Sequence, residues 1–202
     1  MEGKMITKRQ KEVLLAIYVS FKESGFPPTL QDLKDALEVN SNQAVLDLLK
    51  TLEKKNLIKR EEGSARGIVI LPLGYDAINK DPLVRVVGKT AAGPVVEAIE
   101  QHEWTEMPNG YQKCDNVFIV KVAGNSMIEA GIYDGDSILI KKADEYKNGD
   151  IVLARQGDDV TIKRFVYDNG RTYLKPENPA CKIIAITHDT FFIGKMMTNL
   201  GK

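Results

Sequence analysis

Three separated pieces of this chain could together break a peptide bond. They are the small-residue junction Ala92-Gly93, the tetrapeptide Gly124-Asn125-Ser126-Met127, and Lys163 within Val160-Thr161-Ile162-Lys163-Arg164-Phe165. A serine hydroxyl is a weak nucleophile and needs a base within hydrogen-bond reach. Neither His102 nor His188 sits in a recognisable catalytic context, so no Ser-His-Asp arrangement is apparent. A lysine serves as the base if burial lowers its pKa from about 10.4 towards neutrality. Ser-Lys pairs are a known variant of the triad chemistry.

Each piece also has a plainer reading. Gly-Asn-Ser-Met alone fits a turn at a strand end, and Ala92-Gly93 alone fits an ordinary loop. Alternation puts Lys163 on one strand face with Thr161 and Phe165, and Arg164 on the other with Val160 and Ile162. The pattern leaves open which face is buried. The junction does suit a scissile bond, because small side chains avoid clashes in a narrow site and Gly93 admits unusual dihedrals. Pro94 brings no N–H to a strand ladder, and Val95 and Val96 could anchor the segment in apolar pockets.

The elements that must position these residues read as two domains, over 1–72 and 83–202, joined by a linker at 73–82. Thr7 with Gln10 forms a capping box, and Val13, Leu14, Ile17, Tyr18 and Phe21 recur at helical spacing. Ser24-Gly25 closes that helix and Pro27-Pro28 prevents its continuation. Thr29 starts a short second helix with Leu30, Leu33 and Leu37 on one face. Glu38-Val39-Asn40 is a tight turn. Ser41 starts a third helix with Ala44, Val45, Leu48, Leu49 and Leu52 as its apolar stripe. Two strand-like runs, at 57–60 and 67–70, flank a polar turn. This order describes a winged helix-turn-helix. Pro72, Gly74, Asn79, Asp81 and Pro82 mark the linker as loop formers. Beyond it, short apolar runs at 83–88, 117–123, 137–140, 151–155, 160–167, 171–175, 181–186 and 191–197 alternate with turn signals such as Asn169-Gly170. They predict a largely antiparallel β domain, so the fold class is α+β.

Composition bounds the partners. The chain of 202 residues balances 28 basic against 28 acidic residues, so any contact with DNA depends on local arrangement. Cys114 and Cys181 lack metal or redox spacing and read as reduced thiols. No metal or cofactor is expected. No signal peptide is visible, and no run approaches the roughly 20 apolar residues of a membrane span. A cytoplasmic protein is therefore expected.

Several motifs occur in one order: Gly25-Phe26-Pro27-Pro28-Thr29, Ser64-Ala65-Arg66-Gly67-Ile68, Ala91-Ala92-Gly93, Gly124-Asn125-Ser126-Met127, Asp134-Gly135-Asp136, Asn148-Gly149-Asp150, Thr161-Ile162-Lys163-Arg164 and Pro176-Glu177-Asn178-Pro179. In these the chain resembles the LexA-type repressors, self-cleaving regulators of the bacterial DNA-damage response, over nearly its whole length. The resemblance implies a Ser126-Lys163 peptidase that cuts Ala92-Gly93 and a β domain that dimerises. It also implies stimulation by a RecA filament on single-stranded DNA, loss of operator binding after cleavage, and residence on the bacterial nucleoid. A non-cleaving regulator with a structural β domain and a phage-type repressor are the alternative readings. Intact Ser126, Lys163 and Ala92-Gly93 argue against the first. The wing suggested by 63–70 argues against the second.

For DNA, the third helix should enter the major groove by its N-terminal end. Ser41, Asn42 and Gln43 are candidates for base or phosphate contact, and Ala44 for a thymine methyl. Lys50, Lys54, Lys59, Arg60 and Arg66 are phosphate or wing candidates. The chain departs from the best-known members at Glu38, where they carry glycine, and at Leu46 and Asp47, where they carry two glutamates. DNA binding is therefore expected, but not to the familiar operator. The apolar run 191–197 is the candidate for the dimer contact.

Overall fold

The computed structural model describes residues 6–60, 67–87, 103–111 and 116–202. They form two compact units, 6–83 with 103–111 and 84–87 with 116–202.

The first unit is helical with a small hairpin. Thr7 caps α1 (Lys8–Ser24): its hydroxyl accepts from the Gln10 N–H while the Gln10 side chain accepts from the Thr7 N–H. Gly25, left-handed at φ 78°, ends the helix. Thr29 and Asp32 make the same reciprocal cap on α2 (Leu30–Ala36). Ser41 caps α3 (Asn42–Lys54). Strands β1 (Ile58–Arg60) and β2 (Ile68–Ile70) pair antiparallel, with Ile58 opposite Ile70. One core joins them all: Val13, Leu14, Ile17 and Phe21 of α1, Leu33 of α2, Val45, Leu49 and Leu52 of α3, and Ile58, Ile68 and Ile70 of the hairpin. Helix, helix, turn, helix and hairpin therefore appear as the sequence pattern predicts.

The expected linker begins differently. Pro72–Ile78 is a fourth helix, α4, with Tyr75 and Ile78 buried. Proline in the first turn costs nothing, because N–H groups there have no partner within the helix. Gly74 is there for close approach. A Cβ on it would lie 2.2 Å from the Leu57 carbonyl oxygen and 2.8 Å from Ile70 Cγ2. The chain leaves this unit along β3 (Leu83–Val87) and re-enters it as β4 (Glu103–Glu106), a strand that no sequence pattern announced.

The second unit is built on one sheet. Its strands are β5 (Val117–Lys121), β6 (Ser137–Lys141), β7 (Ile151–Gln156), β8 (Asp159–Asp168), β9 (Arg171–Lys175), β10 (Ile184–Ala185) and β11 (Thr190–Gly201). They run in the order β10-β9-β8-β7-β11-β6-β5-β3. Neighbours pair antiparallel except β3 with β5, which are parallel. Asn169 and Gly170, with φ of 48° and 77°, make the tight β8–β9 hairpin that their types predict. Strand β11 lies between β7 and β6, pairing with β7 over 190–195 and with β6 over 195–201, so within the run 191–197 only Lys195 is paired on both edges. Phe191 of that run is exposed. At Gly194 the β11 ladder shifts register, and a Cβ would meet the Lys141 carbonyl oxygen at 2.4 Å. Phe118, Val120, Ile138, Ile140, Leu153, Val160 and Ile162 form the main core, together with Met127 and Ile132 from the segment after β5. No helix among the described residues is long and apolar enough to cross a membrane.

Candidate active site

Ser126 follows β5 on a turn that is fastened from several directions. Gly124, at φ 88°, reverses the chain, and its N–H donates to Asp134 Oδ1 at 2.7 Å. Met127 is buried in the same core as Val160 and Ile162 of β8, which draws the turn towards that strand. A short 3₁₀ helix, Ile128–Ala130, follows and ends at Gly131. Asp136 holds the far side of the loop: its carboxylate accepts from the Tyr133 N–H at 2.9 Å and from Asn199 Nδ2 at 2.8 Å. These donors hold its pKa below the usual aspartate value, the Tyr133 amide most of all.

Lys163 stands in the middle of β8. Across the β7–β8 ladder it faces Val152, and Thr161 faces Ala154; both partners are fully shielded from solvent. Lys163 itself is only 6% exposed. Its Nζ lies 2.8 Å from Ser126 Oγ, 2.6 Å from Thr161 Oγ1 and 3.0 Å from the Ile162 carbonyl oxygen. A neutral amine has two N–H bonds and one lone pair. Two donations, to Thr161 Oγ1 and the Ile162 carbonyl, leave the lone pair for the Ser126 hydroxyl. No carboxylate pairs with this lysine among the described residues. Burial therefore drives its pKa below 10.5, opposed only by the Cys181 thiol.

Two residues of the Pro176-Glu177-Asn178-Pro179 motif support the turn. Asn178 Nδ2 donates to the Asn125 carbonyl at 2.7 Å, and its Oδ1 accepts from the Ala180 N–H at 2.9 Å. The Glu177 carbonyl accepts from the Glu129 N–H at 2.9 Å, while its carboxylate receives Arg164 Nε at 2.6 Å. The guanidinium of Arg164 lowers the Glu177 pKa. The two neighbours on β8 thus serve one loop: Lys163 reaches the serine hydroxyl, and Arg164 braces the segment behind it. The sequence marked this motif without a role. The signal for Thr161 was its position two residues before Lys163, on the same strand face.

Ala92 and Gly93 lie outside the described residues, as does Arg66. The other DNA candidates are described. Ser41, Asn42, Gln43 and Ala44 are all exposed at the start of α3, and Lys50 and Lys54 are exposed further along. Ala44 is therefore not part of the buried stripe, which is made by Val45, Leu49 and Leu52. Gln43 Nε2 donates to Asp47 Oδ1 at 2.8 Å, so this base-reading candidate is engaged within its own helix. Arg60 is bound to Glu53 at 2.9 Å and Lys59 is exposed.

Comparison with known proteins bears on both units. Residues 3–67 match the LexA DNA binding domain and residues 85–197 match the Peptidase S24-like family. Proteins called LexA repressor are similar over nearly the full length. One from Shouchella clausii is 34% identical over 199 residues, covering 95% of each chain. One from Caldicellulosiruptor saccharolyticus is 35% identical over 195 residues, covering 96% of each. One from Geotalea uraniireducens is 39% identical over 181 residues, covering 90% of this chain and 88% of that one.

Proposed function

The chain belongs to the LexA repressor family, and from that membership we propose how its residues divide the work of a repressor that destroys itself. It is a DNA-binding repressor of the SOS response and a self-cleaving serine peptidase. The residue assignments that follow are our reading.

Ser126 is the nucleophile and Lys163 the general base. The observation that carries this is the 2.8 Å separation of Nζ and Oγ, at a lysine 6% exposed. Oγ attacks the Ala92 carbonyl as its proton passes to Nζ. The tetrahedral intermediate collapses, the Ala92–Gly93 bond breaks, and Lys163 returns the proton to the Gly93 amine. The Ser126–Ala92 ester is then hydrolysed by water activated by the same amine. The Ser126 N–H has no protein acceptor among the described residues, which suits it to receive the oxyanion. The Gly124 N–H is occupied by Asp134 and is a poor candidate.

Because the substrate is tethered, cleavage is first order in protein, with a high effective molarity. Such a reaction needs a brake. The cleavage loop spends most of its time away from Ser126, and a RecA filament on single-stranded DNA favours the docked form. On DNA, Ser41, Asn42, Gln43 and Ala44 meet base edges, while Lys50, Lys54 and Arg66 meet phosphates. A homodimer places two such helices on a palindrome, so that the second half-site binds at high local concentration. The protein works in the bacterial cytoplasm, on the nucleoid.

The test sets the native chain beside Ser126→Ala at high pH and with an activated RecA filament. The native chain is expected to yield two fragments meeting at Ala92 and Gly93 by mass spectrometry, and the variant none. Equal cleavage of both would overturn the assignment, and a first-order rate constant that rises with protein concentration would overturn cleavage in cis.

A further inference from the structure

The first unit contains chain from both sides of the bond just discussed. Residues 103–107 follow Ala92-Gly93 in sequence, yet they pack with α1. Trp104 Nε1 donates to the Gly25 carbonyl at 3.0 Å, satisfying an acceptor at the C-terminal cap of α1. Its ring meets Phe21 edge-on, with centroids 5.0 Å apart. Two residues on, Glu106 Oε1 accepts from the Tyr18 hydroxyl and from Lys22 Nζ, each at 3.0 Å. The Met107 N–H donates to the Pro82 carbonyl at 2.7 Å, and its side chain is 7% exposed. Burial together with Glu106 pushes the Tyr18 phenol up to about 12.

The geometry points to a noncovalent clasp: residues 103–107 hold the C-terminal cleavage fragment to the DNA-binding fragment after the peptide bond is cut. This rests on the proposed cut at Ala92-Gly93. The occupant of the α1 surface is therefore a segment of this same chain, held by one indole, one buried methionine and one bridging carboxylate. Cleavage alone does not part the fragments. It converts an intramolecular contact into a bimolecular one, and separation then depends on concentration. Release of operator DNA lags behind the chemical step whenever fragments are concentrated.

Trp104 is the only tryptophan, so its emission reports the clasp directly. The full-length protein is allowed to cleave itself at alkaline pH and is then returned to neutral pH. A denaturing gel and mass spectrometry establish the cut independently of the clasp. Concentrated samples are expected to elute from a sizing column with both fragments in one peak and with unshifted emission. Dilution should separate the fragments and move the emission to the red. The double variant Trp104→Phe, Glu106→Gln should separate at a concentration about tenfold higher or more. The same split is made in Ser126→Ala through a protease site inserted between Ala92 and Gly93, which tests the clasp even if the chain does not cut itself. Native fragments that part as readily as those of the double variant would overturn the clasp. So would emission that reddens in step with the covalent cut in concentrated samples.

Discussion

Asn178 Nδ2 donates to the Asn125 carbonyl at 2.7 Å, and so fixes the peptide plane that carries the Ser126 N–H on its opposite side. In the proposed mechanism, a side chain remote from the proton transfer thereby sets the direction of an oxyanion donor. Asn178→Ala is expected to lower the first-order cleavage rate about 10- to 100-fold, with the pH profile kept, because the base is untouched. Single-turnover rates over a pH series check this. A change in the apparent pKa without a loss of plateau rate would contradict it.

Lys163 makes a second expectation with a definite sign. Its folded pKa is depressed below 10.5 by burial, so between the two values the unfolded chain binds a proton that the folded chain lacks. Stability of the native protein therefore rises with pH through that window. Cleavage rises as well, as the amine loses its proton, and levels off above the folded pKa. Lys163→Met keeps most of the volume and removes the polar group. It is expected to abolish cleavage and to stabilise the second unit at neutral pH by about 1–3 kcal/mol. That advantage should shrink as the pH approaches 10.5. Urea titrations at several pH values check the trend.

Glu38 occupies the turn of the helix-turn-helix at φ 52°, a left-handed conformation that a residue with a Cβ adopts at some cost. Glu38→Gly relieves about 2 kcal/mol of left-handed strain and costs about 1 kcal/mol in the extra entropy of glycine in the unfolded chain, so it is expected to stabilise the first unit by about 1 kcal/mol. The midpoint of that unit's thermal transition should rise by several degrees, on the order of 4 °C. An unchanged or lower midpoint would show that the turn is not strained.

The α3 residues should separate into two behaviours on DNA. Lys50→Ala is expected to weaken binding to all sequences alike and to reduce the salt slope by about 0.9. Gln43→Ala is expected to leave the salt slope alone and to lose about 1–3 kcal/mol of discrimination at one base pair. Titrations of a selected operator and its single-base variants at several salt concentrations distinguish the two. Because Gln43 is bonded to Asp47, Asp47→Ala should release it for base contact and raise affinity.

Local chemistry made much of this fold legible. The caps at Thr7, Thr29 and Ser41 start helices where their side chains accept backbone N–H groups. The Asn169-Gly170 turn was equally plain. What stayed hidden depends on distant partners. Pro72 and Gly74 resemble loop formers until the Leu57 carbonyl is seen to lie where a Cβ would sit. Strand β4 has no alternating pattern, and its apolar side chain, Trp104, finds its partner on α1. At the candidate active site, Ser126 and Lys163 are visible as residue types, but alternation does not tell whether the lysine is dry. In the fold both faces of β8 are covered there, since Ile162 is 4% and Lys163 6% exposed. Thr161 and Asn178 acquire their roles only once the strand and the loop are brought together.

The last described strand, β11, fills the middle of the sheet, and Asn199 near its end reaches back to Gly131 and Asp136 beside the turn that carries Ser126. On the ribosome, β11 is still inside the exit tunnel when the DNA-reading helices have emerged and begun to fold. Until β11 emerges, the sheet remains in two halves and the serine's loop lacks its contacts to Asn199. A nascent repressor is thereby protected from cutting itself until β11 has taken its place in the sheet.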